Sequence, residues 1–404
     1  MAGTHSCLRQ AGKYRSRMVR FLKDLVAIPG FSGSEGPVIN RIRQELESVG
    51  GFDRIWTDPM GNLLARIGRL SKSKKLLAVD AHVDTVEVGD RSEWKRDPFK
   101  AVVADGKVWG RGAGDQRGAI PAMVYAGAIM RDLGISADDY CLLFTFTVME
   151  EDCDGLCWQY IINEDGIRPD AVVVTDSTDC RVLRGQRGRM EIGITCKGKS
   201  CHGSMPHKGV NAIYRVSRIA GEIERLNDRL ADDPFLGKGT VTVSYVDCKT
   251  PSRCAVPGEA YLHLDRRLTI GETRRSALAE VRKAVKRAGV PATIEVPRYR
   301  KPSYTGLVYE TDHYFPTWCE PEDARQVRAA SETYRTLFGR KPRVGRWTFS
   351  TNAVSIAGMH GIPCVGFGPA PEKVAHTVND SVPIDHLVKA AAFYATFGQS
   401  YCSM

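Results

Sequence analysis

The sequence predicts an α/β protein with a mainly parallel sheet, interrupted by an inserted two-layer α+β unit. Two observations carry that expectation. Short β-rich apolar runs alternate with helical patterns through the first part of the chain and return near its end, and from about residue 189 the pattern changes to the order βαββαβ. A chain of 404 residues is long enough for two or three domains with cores of their own. The expected division is 1–187 and 299–404 for the larger sheet and 188–298 for the inserted unit.

Residues 17–30, RMVRFLKDLVAIPG, read as an amphipathic helix stopped by Pro29. The runs at 74–81, 139–148, 169–175 and 362–368 are short, β-rich and mostly apolar, as strands buried on both faces are. Asp105-Gly106 stands between two short apolar stretches and signals a hairpin. A helix of small residues follows at 117–133. In the inserted unit, a strand at 190–198 leads to a helix at 211–230, strands at 239–247 and 259–268, a helix at 273–288 and a strand at 291–297. A further helix at 322–337 and a closing helix from residue 385 complete the pattern.

Composition excludes some classes. No apolar stretch is long enough to cross a bilayer, and the twelve cysteines lack the spacing of a structural zinc knuckle, so they read as reduced thiols of a cytoplasmic protein. The net charge of +10 comes from 57 basic residues dispersed among 47 acidic ones, without a basic run or interleaved aromatics. That pattern argues against a nucleic-acid partner and fits a solvated surface with a small, mildly anionic ligand.

Functional groups of open α/β sheets gather beyond the carboxyl ends of strands. There the sequence places His82 and Asp84 after the first run, Glu150 and Glu151 after the second and Asp176 after the third. His376 comes eight residues after the last run, and the hairpin leads to Asp115. Taken singly, each is more often a cap or a loop hydrogen bond. Together, five segments offer imidazole or carboxylate to one edge, the hard donor set that a pair of divalent ions requires. Two such ions carry four positive charges, which three ligating carboxylates and a bridging hydroxide would balance. One carboxylate is then left over as a base, so of Glu150 and Glu151 one would hold metal and the other take a proton.

AHVDTVEVGDRSEW, VWGRGAGDQRGAI, TVMEEDCDG, VVVTDST and VAHTVNDSV resemble, in order and approximate spacing, the blocks of the dinuclear zinc hydrolases. That family includes acetylornithine deacetylase, succinyl-diaminopimelate desuccinylase, aminoacylase and glutamate carboxypeptidase. The resemblance implies a catalytic domain at 1–187 and 299–404 and a lid and dimerisation domain at 188–298. It makes His82 and Asp176 ligands of one ion, Glu151 and His376 ligands of the other, and Asp115 the bridge. It makes Glu150 the general base and Asp84 the acceptor that orients His82. It also implies a cis peptide between Asp115 and Gln116. Zinc is the expected metal, with cobalt or manganese able to serve.

KGKSCHGSMPHKGVNAI resembles the family's lid segment, which implies that His202 reaches the neighbouring subunit's site as an oxyanion donor and that the protein is a homodimer. The family's D-x-R pattern falls on Asp265 and Arg267, and the arginine would hold a substrate carboxylate. Cys254 departs from the asparagine many relatives carry. TPSRCAVPGEA followed by DRRL is similar to a branch described as selenium-metabolism-linked hydrolases. The expected activity is hydrolysis of an amide bond in an N-acyl amino acid or a small peptide. Two rival expectations are a non-catalytic relative that binds metal, and a dinucleotide-dependent enzyme that uses Gly112 and Gly114 as a phosphate loop, although Gly118 falls one residue late for that fingerprint.

Overall fold

The computed structural model of the protein describes residues 4–404. An eight-stranded sheet forms the larger unit, and the four runs expected as buried strands are its central members. Tyr140–Thr147, Lys75–His82, Ala171–Val174 and Cys364–Gly366 lie side by side in that order, all parallel. They are rich in apolar residues because both faces are covered, and every residue of the first, third and fourth is buried. Leu63–Ile67 and Arg54–Thr57 extend one side antiparallel, and Val182–Leu183 with Val344–Gly345 extend the other. The helices Thr4–Val26, Ala119–Leu133, Arg325–Phe338 and Ile384–Cys402 pack against one another and contribute to the same hydrophobic core as the sheet. The hairpin forms as expected. Val102–Ala104 pairs with Lys107–Trp109, and Asp105 and Gly106 both take the left-handed conformation that a two-residue turn requires, at φ 52° and 68°.

The inserted unit has a hydrophobic core of its own, drawn from residues between Met190 and Val296 with Tyr314 packed against it. Its sheet runs in the order Thr240–Lys249, Glu259–Leu268, Gly188–Lys197, Thr293–Glu295. Along Glu259–Leu268 every second residue is buried, the period of a strand with one covered face. The covering helices start where the sequence supplies caps: Asn211 accepts from the amides of Ile213 and Tyr214, and Thr273 accepts from that of Ser276. One strand comes from beyond residue 298. Thr293–Glu295 pairs only with residues 193–195 of the ten-residue strand Gly188–Lys197, and Tyr314–Phe315 occupies the edge left open at Arg189 and Met190.

Arg117 fastens the amino-terminal helix to the sheet. It is fully buried and donates to the carbonyls of Leu25 (2.7 Å), Ile28 (2.7 Å), Val83 (2.8 Å) and Gly30 (3.1 Å). Burial lowers its pKa to about 10, against the opposing pull of Asp84, Asp380 and Glu35. Arg117→Met would take a charged donor from four carbonyls, those of Leu25 and Val83 fully buried, so urea denaturation should show a loss of about 3–5 kcal/mol. An unchanged midpoint would remove this role.

Candidate active site

Three of the central strands deliver side chains at their carboxyl ends: Lys75–His82 ends on His82, Tyr140–Thr147 leads to Glu150 and Glu151, and Ala171–Val174 leads to Asp176. The turns that present Glu150-Glu151 and His376 carry non-glycine residues in the left-handed region, Met149 at φ 65° and His376 at φ 57°. Such conformations persist where surrounding structure imposes them. Asp115 follows the glycine loop, and the peptide between it and Gln116 is cis, as expected.

That loop does not cradle phosphate. Asp380 accepts from the amides of Gly112 and Gly114, each at 2.6 Å, and lies 3.2 Å from Nη1 of Arg111. A Cβ on Gly114 would stand 3.0 Å from Oδ1 of Asp380 and 2.8 Å from Val374, so glycine is needed there for close approach of the chain. The amides that a pyrophosphate would need are already taken by a buried carboxylate, which overturns the dinucleotide expectation at Gly112 and Gly114.

His82, Asp115, Glu150, Glu151, Asp176 and His376 converge. Nε2 of His82 is 3.5 Å from Oδ1 of Asp115, 3.7 Å from Oδ1 of Asp176 and 3.8 Å from Oε2 of Glu150. Nε2 of His376 is 3.2 Å from Oδ2 of Asp115 and 2.9 Å from Oε2 of Glu151. Asp115 thus turns one oxygen toward each histidine. Donor atoms of His82, Asp115 and Glu151 lie within 4.8 Å of one another. All these side chains are buried except His376, which is 55% exposed.

The electrostatics fit divalent cations. Burial raises the carboxyls of Glu150, Glu151 and Asp176 above their ordinary values, and neighbouring carboxylates add to the rise. His82, although burial opposes its charge, is pushed well above its usual value by Glu150, Asp115 and Asp84, while hydrogen bonds to Asp115 and Glu151 raise His376 to about 10. The clustered carboxyls thus favour positive charge in their midst. Oε1 of Glu150, Oε1 of Glu151 and Oδ2 of Asp176 are buried without a hydrogen-bond partner. Imidazole nitrogens and hard oxygens with open valences suit a transition-metal pair.

Asp84 reaches further than expected. The carbonyl of Asp84 lies 3.1 Å from Nδ1 of His82 and its Oδ1 lies 3.4 Å away, while its carboxylate accepts from Ser32 Oγ at 2.7 Å and from the amides of Glu151 at 3.0 Å and Glu150 at 3.3 Å. It therefore ties the His82 strand end to the glutamate turn. Beneath them Asn352 Nδ2 donates to Asp80 Oδ2 at 2.9 Å, and Asn352 Oδ1 accepts from the amide of Gly155 at 3.0 Å.

Above the cluster is a cavity of about 320 Å³, which Arg267 also lines. Arg267 is bound two-pronged to Asp265, with both contacts at 2.9 Å. The cavity contains three charged residues that the sequence reading missed: Asp154, Arg189 and Glu372. A larger groove of about 810 Å³, around Arg54, Arg66 and Lys74, has no histidine in its lining. His202 is exposed in the inserted unit, paired in register with Ala255, its ring bonded to Ser204, and does not line the cavity of its own chain. Cys254 is exposed on the segment beside it.

Fold and site together define a metal-dependent hydrolase of amide or peptide bonds. The model of peptidase family M20/M25/M40 matches residues 78–400, and the chain belongs to that family. It is 51% identical over 396 residues to uncharacterized protein YgeY of Escherichia coli strain K12, covering 98% of this chain and 96% of the relative. It is 24% identical over 396 residues to succinyl-diaminopimelate desuccinylase of Rhodospirillum centenum, covering 94% and 95%. Among solved structures, the aminopeptidase PepT of Bacillus cereus superposes with a TM-score of 0.73 at 19% identity, covering 96% of this chain and 99% of that one. The YXEP protein of Bacillus subtilis, a dinuclear metal binding peptidase of the M20 family, does so at 0.68 and 15%, covering 96% and 98%.

Proposed function

We propose that the protein hydrolyses an amide bond in an N-acyl amino acid or small peptide, with His82 and Asp176 holding one zinc ion, Glu151 and His376 a second, and Asp115 bridging them. The carrying observation is that Asp115 directs Oδ1 toward His82 and Oδ2 toward His376. Bound there, the ions would supply Lewis acidity. Glu150 is the remaining carboxylate, buried and pushed upward, which suits it to take a proton from water and return it. As the water oxygen bonds to the acyl carbon and the C–N bond breaks, Glu150 delivers that proton to the departing nitrogen. Asp84 orients His82 and holds the Glu150-Glu151 turn. Arg267 holds a substrate carboxylate.

Chelation followed by a panel of N-acyl amino acids and dipeptides, with and without added zinc, tests the reading. Hydrolysis should vanish on chelation and return with about two equivalents of metal per chain. Hydrolysis that persists after complete metal removal would refute it.

A homodimer is part of the proposal. Thr240–Lys249 is an edge strand of the inserted sheet that exposes Tyr245 and Val246, and the neighbouring helix exposes Tyr214, a surface suited to a second copy. His202 would serve the neighbouring site as an oxyanion donor, so His202→Ala should lower kcat by about a hundredfold. Co-expressed with Glu150→Ala, it should form mixed dimers that regain activity, because one of the two sites then has both residues. Mixed dimers as inactive as either parent would sink this arrangement. The location proposed is cytoplasmic; no disulfide forms among the described residues, and none of their helices is long and apolar enough to cross a membrane.

A further inference from the structure

Past the end of the strand Tyr140–Thr147, four consecutive amides are met by side chains and not by a neighbouring strand. Val148 donates to Oδ1 of Asn62 at 3.0 Å, Met149 to Oε1 of Glu35 at 3.0 Å, Glu150 to Oδ1 of Asp84 at 3.3 Å and Glu151 to Oδ2 of Asp84 at 3.0 Å. The three acceptor residues come from three separate segments and are fully buried. Asp84 belongs to the site already described, whereas neither Glu35 nor Asn62 lines the cavity.

Glu35 is spent on this contact in preference to a local one. It stands at the N-cap of the helix Gly36–Val49, where a polar side chain ordinarily folds back on the helix's own first amides. It makes no such bond, and Pro37 has removed one of those amides. Its side chain crosses instead to Met149, the residue held at φ 65° immediately before the two glutamates. A side chain with a Cβ seldom takes that conformation unless surrounding structure imposes it, and the direction in which Glu150 leaves the backbone depends on it. Asn62 is pinned in turn: its Nδ2 donates to Oδ2 of Asp58 at 2.7 Å and its amide to Oδ1 at 2.9 Å.

We infer that Glu35 is a positioning residue for the Glu150 carboxylate: by holding the Met149 amide it fixes the reversed residue from which Glu150 is aimed at the cluster. The inference rests on Glu150 as the general base and adds a residue that acts only through the backbone of the turn. What matters in Glu35 is its reach and its acceptor oxygen. Burial, reinforced by Asp84, raises its carboxyl to about 7, and the protonated and ionised forms both keep an acceptor for Met149.

Two conservative variants separate reach from charge. Glu35→Gln keeps the length and an acceptor oxygen but loses the charge. Glu35→Asp keeps the charge but is shorter by one methylene, about 1.5 Å, and as a favoured N-cap it turns back to its own helix. With the N-acyl amino acid or dipeptide that the zinc-loaded protein hydrolyses best, Glu35→Asp should lower kcat by at least about tenfold, with KM within about threefold and two metal equivalents retained. Glu35→Gln should keep at least about a third of the wild-type kcat. In the Glu150→Ala background, Glu35→Asp should cost less than about twofold, because the group it aims is gone. Equal losses in both backgrounds, the mark of a merely structural role, would overturn the inference, as would Glu35→Gln proving as impaired as Glu35→Asp. Amide hydrogen exchange over residues 145–155 reads the same contact without turnover. Glu35→Asp should speed exchange of the Met149 amide by at least about tenfold and Glu35→Gln by less than about threefold, and equal protection in wild type and Glu35→Asp would sink the inference. If no compound is cleaved, the hydrolase reading falls by itself, and exchange alone decides whether Glu35 holds the turn.

Discussion

Glu150→Ala is expected to lower kcat by about a thousandfold or more while elemental analysis still finds two metal equivalents per chain. The split between the two readouts is what matters. Glu150 and Glu151 are adjacent in sequence and both buried, but their surroundings differ. Glu151 lies 2.9 Å from an imidazole nitrogen of His376, whereas the nearest imidazole nitrogen to Glu150, on His82, is 3.8 Å away. The carboxylate held against an imidazole is placed to share an ion with it, and the one standing farther off is free to move a proton. Variants that lose metal together with activity, or keep near-normal turnover, would reverse the assignment.

Asp115→Ala should do the opposite. Because its two oxygens face different histidines, its removal takes a donor from both ions at once, and metal content should fall below one equivalent per chain together with activity. It would also leave His82 and His376 facing fewer acids, whereas Asp115 now sits well below the ordinary carboxylate range, its burial outweighed by hydrogen bonds from those two rings. Retention of two tightly bound ions in the variant would show that Asp115 does not bridge them. Losing one ion only would assign it to a single side.

The parts of the fold legible in the sequence were those with strong local causes. The four central strands announced themselves because burial on both faces fills such runs with apolar residues, completely so in Ala171–Val174. Asp105-Gly106 marked its hairpin because few other pairs accept two positive φ angles. The convergence of residues 82, 150, 151 and 176 was legible for a similar reason, since strand ends are where an α/β sheet exposes functional groups. Arg189 and Asp154 were not legible. They sit 35 positions apart, in elements of different units, and no periodicity in either stretch reports that the inserted strand folds down beside the glutamate turn. Asp380 was quoted in a motif but given no role, because its task is to hold two backbone amides of a loop far away in sequence. Tyr314–Phe315, at two residues, is shorter than any pattern that alternation can reveal.

The converging side chains span residues 82 to 376, and the helix Ile384–Cys402 packs on Ala119–Leu133 and on Thr4–Val26. During synthesis, everything from residue 82 through His376 must therefore leave the ribosome before the last imidazole can join the other side chains. Nascent chains and proteolytic fragments that lack residues around His376 would leave the cluster without one of its two imidazoles.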